Sequence, residues 1–514
     1  MPYVKHLKDD NAIEERWFYQ ALTECYIPLV ISLRRLVREN ISCSFTISIS
    51  PSLLEMIDDE GLKSRYFKYL NDLLKLLKLE MKLKEKTDYI ELVKFYLARI
   101  REIKNTFLNY NTDLLTEFKK LQKNNKINLI TTAATHGYLP LLKQYPTAVK
   151  AQIKQGVKTY QKYFGTAPDG LWLPECGYYP GLDKILKEFN IKYFFIDSHS
   201  LLTAVPRPKY GVYAPVYTKY SVAAFARNPS ASKQVWSRDE GYPGHQLYRE
   251  FHCDLSQELN SKQLKEYIHP EGVRVDTGIK YYRITDKNSQ DKKLYQPLLA
   301  RRQAKKDAID FATKSKEQLN NLAKKIDRFA IITAPYDAEL FGHWWYEGPT
   351  FLYHLAKEID KTDGLKLITP KDYLDLEPKN QVCKLDLSSW GEDGYSDVWL
   401  NEKNTWIYKR LLKASKKMIT VASNNKQSSN LETRVLNQAA RELLLAQSSD
   451  WQFIITTETT VKYATRRVKN HLENFNRLLK DLENKTIELK WLENLEEENS
   501  IFADLDYRIY SKFN

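Results

Sequence analysis

The sequence predicts an α/β protein in which short strands alternate with helices, joined to a helical insertion and a helical tail. Three observations lead there. Strand-sized β-like runs recur between residues 44 and 337, and helical patterns lie between most of them. Two longer stretches repeat apolar residues at three- and four-residue spacing, as amphipathic helices do.

Taken in order, the β-like runs are SFTISIS (44–50), INLITTAA (127–134), GLWLPE (170–175), KYFFID (192–197) and FAIITAPYD (329–337). Such an alternation builds an α/β sheet or barrel, and in barrels the reactive side chains collect at the C-terminal strand ends. His136 lies just past the second run, Glu175 ends the third and Asp337 ends the last. Residues 52–125 read as a helical insertion packed on the barrel, all within a catalytic unit of residues 1–400. Residues 401–514 read as a C-terminal helical domain, with ASNNKQSSN (422–430) as a polar linker. The apolar stripes of that tail are ascribed to helix–helix packing.

Bulk properties are those of a soluble globular protein: 514 residues, 43% hydrophobic and 28% charged. No apolar run approaches the roughly 20 residues of a membrane span. The opening MPYVKHLKDDNAIEERW lacks the apolar core of a secretory signal. The formal charge of +14 raises nucleic-acid binding, but the lysines are interleaved with acids and apolar residues, as on solvated helix faces. The expectation is therefore no nucleic-acid and no membrane partner. Five scattered cysteines without a CxxC pair, and histidines without ligand spacing, argue against a disulfide framework and a zinc site. They fit a reducing, cytoplasmic setting. No metal and no cofactor is expected.

Two carboxylates stand out, Glu175 in LWLPECGYYPG and Asp337 in TAPYDAELFGHWWYEGP. Cleaving a glycosidic bond needs two such groups, one attacking or acting as base and one donating a proton. Two strand-end acids are weak evidence alone, since helix capping or ion pairing explains them equally well. Their aromatic company adds weight. Trp172, Tyr178, Tyr179, Trp344, Trp345 and Tyr346 are near them in sequence, and SSWGEDGYSDVWLN (388–401) adds Trp390, Tyr395 and Trp399. Flat rings pack on sugar faces while polar neighbours bond the hydroxyls. Core packing is the alternative for such rings, but core segments seldom interleave them so densely with Gly, Glu and Asp.

Five ordered stretches, ATHGYLPLL (134–142), WLPECGYYPG (172–181), YDAELFGHWWYEGP (336–349), SSWGEDGYSDVWLN and ARELLLAQSSDWQFI (440–454), resemble glycoside hydrolase family 57, and most closely its α-1,4-glucan branching enzymes. The resemblance implies an incomplete seven-stranded (β/α) barrel with helical additions, acting on α-1,4-glucan such as glycogen or amylose-like chains. By it, Glu175 matches the nucleophile and Asp337 the general acid/base. His136 matches a histidine of the active-site pocket. Trp390 and Trp399 match tryptophans lining the glucan groove, and Trp17, Ser449 and Asp450 are further candidates along it. VWSRDEGYPGHQLYREFH (235–252) looks like the family's mobile loop, with Tyr242 at its tip; His245 stands where the family commonly has aspartate. Glu339 and Glu392 are further acids without an assigned role. IDSHS (196–200) either binds substrate or simply ends a strand.

A retaining double displacement follows from the resemblance, with the carboxyl groups about 5–5.5 Å apart. A 4-α-glucanotransferase or an α-amylase on the same scaffold is the nearest alternative. The family also opens on a strand ending in His-x-His, ahead of a segment like MPYVKH. That strand is expected to be absent here, which leaves two readings: a recorded start downstream of the true one, or a non-catalytic glucan-binding relative. Retention of both acids, His136 and the tryptophans favours the first.

Overall fold

The computed structural model describes residues 1–6, 12–237, 240–285 and 291–512. Four of the five β-like runs form strands: β1 (Phe45–Ser48), β2 (Ile127–Ile130), β3 (Gly170–Leu171) and β4 (Tyr193–Ile196). Two more, β5 (Val216–Tyr217) and β6 (Ala223–Ala226), were not anticipated. β1 pairs parallel with β2, Phe45 opposite Ile127. β3, β4 and β6 pair in parallel, and β5 runs antiparallel on the far edge of β6. A parallel bridge between Thr131 and Leu171, with the Trp172 amide donating to the Thr131 carbonyl at 2.8 Å, joins the two groups. The spatial order is thus β1-β2-β3-β4-β6-β5.

Every residue of β4 and β6 is buried, as expected for strands covered on both faces. Size is matched across the pair: Tyr193 lies opposite Ala223 and Phe194 opposite Ala224. On the other side Tyr193 faces Gly170, where a Cβ would collide with its ring. The run FAIITAPYD corrects one expectation, because it makes no strand. It makes isolated contacts instead: the Ile331 amide donates to the Tyr213 carbonyl at 2.8 Å, and the Asn228 amide to the Thr333 carbonyl at 2.8 Å. A ladder needs a continuous partner, and residues 329–337 line a large cavity. β1 lines the same cavity, and all four of its residues are only half-buried.

Between β1 and β2 the chain forms helices Pro51–Asp58, Glu60–Leu83, Ile90–Asn109 and Leu114–Lys123. Asp59 and Asp113 cap two of them, accepting from the Leu62 amide at 2.8 Å and the Thr116 amide at 2.9 Å. Glu60–Leu83 buries Leu62, Tyr66, Leu70, Leu73 and Leu77, each such side chain contributing about 1.5–3 kcal/mol over an exposed one. The tail is helical, with Thr405–Asn424, Asn430–Ala446, Asp450–Thr456, Val461–Asn484 and Leu489–Glu498. Part of the linker, Ser429, closes a capping box with Glu432. No helix among the described residues is long and apolar enough to cross a membrane. Arg238 and Asp239, inside the expected covering loop, lie outside the described residues.

Candidate active site

A cavity of about 2000 Å³ takes in the C-terminal ends of the strands, and both Glu175 and Asp337 line it. Glu175 arrives just after β3, in the tight turn Pro174–Cys176, with φ 61° and ψ 27°. A left-handed glutamate is uncommon and costs about 1 kcal/mol or more, so the surroundings must hold it. They do. The Trp390 amide donates to the Glu175 carbonyl at 2.9 Å, and the Tyr178 amide to the Ser388 carbonyl at 2.8 Å. The 388–401 stretch is thereby clamped to the turn.

The Glu175 side chain sits among donors. Trp390 Nε1 donates to Oε2 at 2.8 Å, and Ser449 Oγ to Oε1 at 2.9 Å. His136 Nδ1 is 3.0 Å from Ser449 Oγ and 3.5 Å from Glu175 Oε1. Ser449 belongs to the helical tail. It reaches the site because Ser448 bridges antiparallel to Gly137, while the Ser449 amide donates to the His136 carbonyl at 3.2 Å. Charge-assisted donors of this kind fix a carboxylate's orientation strongly.

Asp337 is treated differently. It precedes the short turn Ala338–Leu340 yet makes no capping bond, so the capping explanation of this acid fails. Among the described residues its carboxyl has no hydrogen-bond or ion-pair partner. Enclosure by the protein, followed by the charges of Glu339 and Glu175, pushes its pKa up to about 7. Asp337 is itself an exposed residue, and the surface it exposes opens on the cavity it lines. Ligand entry would displace the cavity water and strengthen the upward push.

Glu339 also lines the cavity and accepts a short hydrogen bond from Tyr26. Tyr26 ends a π-helical turn, Leu22–Tyr26, a feature that often marks functional sites. The preceding Cys25 contacts the Ala338 carbonyl through sulfur at 2.9 Å. Gly342 (φ +127°) permits this approach, since a Cβ there would overlap the Glu24 carbonyl. Glu24 accepts from Arg249 at 2.8 Å and His343 at 2.7 Å. Burial opposes its charge, but those two partners hold its pKa down at about 2.

The other expected residues divide. Trp17 and Asp450 line the cavity. Asp450 accepts from Ser448 at 2.9 Å. Trp390 packs against Trp172 (centroids 5.0 Å) and Trp236 (6.4 Å), both of which line the cavity.

Trp399 corrects an expectation. It is buried and stacked on Tyr138 at 5.2 Å, so it props the 388–401 wall from behind rather than lining a groove. Tyr242 rests on its own neighbours in this structure. Its hydroxyl donates to Asp310 at 2.7 Å and lies 3.0 Å from the Gln234 side-chain oxygen, and its ring packs on Phe311 and Phe351. It is thereby tied down against helix Pro297–Ala323. Tyr178, Tyr179 and Trp345 are buried core residues. In IDSHS, Asp197 caps Ser198–Leu202 and pairs with Arg227, while His199 Nε2 meets the Gly394 carbonyl at 2.9 Å, so the motif braces the 388–401 stretch.

Sequence reasoning missed Glu24, Tyr26, Arg249 and His343. Glu24 and Tyr26 are far along the chain from the other two, of which Arg249 lies in the 235–252 stretch and His343 in the GHWW run beside Asp337.

A family model described as glycosyl hydrolase family 57 matches residues 1–296, and one described as 1,4-alpha-glucan branching enzyme, C-terminal, matches residues 410–510. A 1,4-alpha-glucan branching enzyme of Thermococcus kodakarensis is 34% identical, covering 98% of this chain and 76% of that protein. Among solved structures, the alpha-amylase AmyC of Thermotoga maritima superposes with a TM-score of 0.93 at 39% identity, covering 100% of this chain and 98% of that one. A family 57 branching enzyme of Thermococcus kodakaraensis, solved in complex with glucose, superposes with a TM-score of 0.89 at 32% identity, covering 100% and 95%.

Proposed function

The chain belongs to glycosyl hydrolase family 57, and we propose that it is a 1,4-α-glucan branching enzyme of the retaining type. The observation that carries this reading is the pair of carboxyl groups on one cavity, one ringed by donors and the other pushed up to about 7. A nucleophile needs a fixed orientation, and a general acid needs its proton near neutral pH.

Glu175 attacks C1 of a glucosyl unit as the C1–O4 bond breaks, and Asp337 gives its proton to the departing O4. Asp337, now a carboxylate, takes the proton of a 6-hydroxyl on an acceptor chain. That oxygen displaces Glu175 from C1, which makes the α-1,6 branch and restores both acids. Ser449, His136 and Trp390 orient Glu175. Trp17 and Asp450 contact glucan farther along the cavity.

The second reading is α-amylase action, favoured by the likeness to AmyC. Water then replaces the 6-hydroxyl. Incubation with amylose separates the two: new α-1,6 linkages support branching, and reducing ends that accumulate without branches overturn it. If Glu175→Gln leaves all turnover unchanged, the protein has no catalytic role for this residue. The natural substrate is α-1,4-glucan of glycogen or amylose type. The compartment is the cytoplasm, which the free state of all five cysteines supports.

The finer architecture is an incomplete (β/α) barrel spanning residues 1–400, followed by a helical domain at 401–514. Support comes from the edge of β1. It and residues 329–337 line one cavity without a described strand between them, and Thr46 Oγ1 and Ser48 Oγ are buried without partners. An extra strand there would pair an otherwise open edge.

A further inference from the structure

We propose that Trp344, backed by Phe251 and flanked by His343, is a sugar-stacking platform for the glucan chain on the Asp337 side of the reacting bond. This is the chain that first leaves and is later replaced by the acceptor. The proposal rests on the family 57 reading above and deepens it.

Of the three consecutive aromatics Trp344, Trp345 and Tyr346, Trp345 is core and Tyr346 carries the Arg249 guanidinium 4.0 Å over its ring. Trp344 alone turns outward, 58% exposed, and it lines the same cavity as the two acids. Covering an indole this exposed with an apolar sugar face would gain free energy. One face is already fixed. It stacks on Phe251 with centroids 4.7 Å apart and planes at 17°. Phe251 in turn lies under the Lys280 ammonium at 4.3 Å. No ring covers the second face of Trp344 among the described residues.

Beside it, His343 also lines the cavity and stands edge-on to both rings, 5.6 Å from Trp344 and 5.5 Å from Phe251. Glu24 takes its Nδ1 at 2.7 Å, which leaves Nε2 for a ligand. A sugar hydroxyl both donates and accepts, so Nε2 suits it in either protonation state. A flat apolar face beside a fixed polar atom is what a glucosyl ring recognises.

Side is set by the backbone. The Leu340 amide donates to the Asp337 carbonyl at 3.2 Å, and the His343 and Trp344 amides to the Glu339 carbonyl at 3.1 and 3.2 Å. The platform and the acid therefore share one turn. The rings near Glu175 are a separate set: Trp390, which bonds its carboxylate, packs on Trp172 and Trp236. The oxygen that Asp337 protonates belongs to the leaving chain, so the platform on its turn serves that chain and then the acceptor.

The test uses full-length protein carrying Glu175→Gln, with maltoheptaose binding followed by calorimetry. Adding Trp344→Ala should weaken binding about five- to tenfold, the range of one lost ring contact, and Trp344→Phe should restore most of it. In otherwise unaltered protein, Trp344→Ala should lower the ratio of α-1,6 linkages to new reducing ends, because water competes better when the acceptor is held loosely. Unchanged affinity and ratio at an unchanged melting temperature overturn the platform. Weaker binding with an unchanged ratio overturns its assignment to the acceptor side. A Glu175→Gln parent that binds no maltoheptaose sinks the glucan reading itself. Should Trp344→Ala lower the melting temperature, His343→Gln, which keeps both rings, carries the same two predictions.

Discussion

Two walls of one cavity hold a carboxyl group by opposite means. On the Glu175 wall, Trp390 and Ser449 each give a hydrogen bond to a different oxygen, and His136 stands behind Ser449. On the Asp337 wall no donor among the described residues reaches the carboxyl, and after burial the largest influence is a like charge on Glu339. Two chemically similar side chains are thereby prepared for different tasks. Hydrogen bonds fix one in place; enclosure and repulsion keep a proton on the other. Neither preparation is a property of the residue, so each can be removed from outside it.

The largest effect is expected from removing the acids themselves. Glu175→Gln should reduce turnover by about four orders of magnitude or more, with glucan affinity retained. Asp337→Asn should cost about 10²–10⁴-fold, and part of that loss should return with substrates whose leaving group needs no proton, such as aryl glycosides. Equal loss on both substrates would deny Asp337 its role as the acid.

Next comes the frame. Ser449→Ala removes one donor to a carboxylate, worth about 1.5–3 kcal/mol, so kcat should fall about tenfold or more while KM changes little. Gly342→Ala drives a methyl into the Glu24 carbonyl and should lower stability by about 1–3 kcal/mol, read as a lower melting temperature. It should displace the Asp337 turn and leave the Glu175 cage untouched.

The smallest effect is also the sharpest on the contrast between the walls. With Asp337 at about 7, kcat/KM should hold on the acid side and fall as pH rises through about 7, where the general acid loses its proton. Glu339→Gln removes a negative neighbour and so lowers that pKa. The falling limb of the pH profile should move to lower pH, while activity well below it changes little. A limb that stays in place would mean that enclosure alone sets the proton affinity of Asp337.

What could be read from the sequence follows locality. Runs such as YFFI and INLI became strands, because a buried strand needs only its own apolar residues and a neighbour. The positions of Glu175 and Asp337 were legible because each closes such a run or an extended segment. FAIITAPYD looks equally strand-like but forms no ladder, since pairing depends on what lies alongside. The alanine-rich β6 was invisible for the converse reason: its small residues are chosen by the bulk of β4. Trp399 was expected near substrate, yet it is held by Tyr138. Nothing in the local pattern tells a ring that meets a ligand from a ring that meets the core. The Glu24–Arg249–His343 cluster spans more than 300 positions of chain, and no spacing rule reaches that far.

The bridge between Gly137 and Ser448 has a consequence for how the protein comes into being. Ser449 is synthesised 274 positions after Glu175, so a growing polypeptide exposes its nucleophile long before the hydroxyl that steadies it exists. Glucan-cutting power should therefore switch on late in biogenesis, when the tail docks, and should vanish first if heat or a protease peels that tail away.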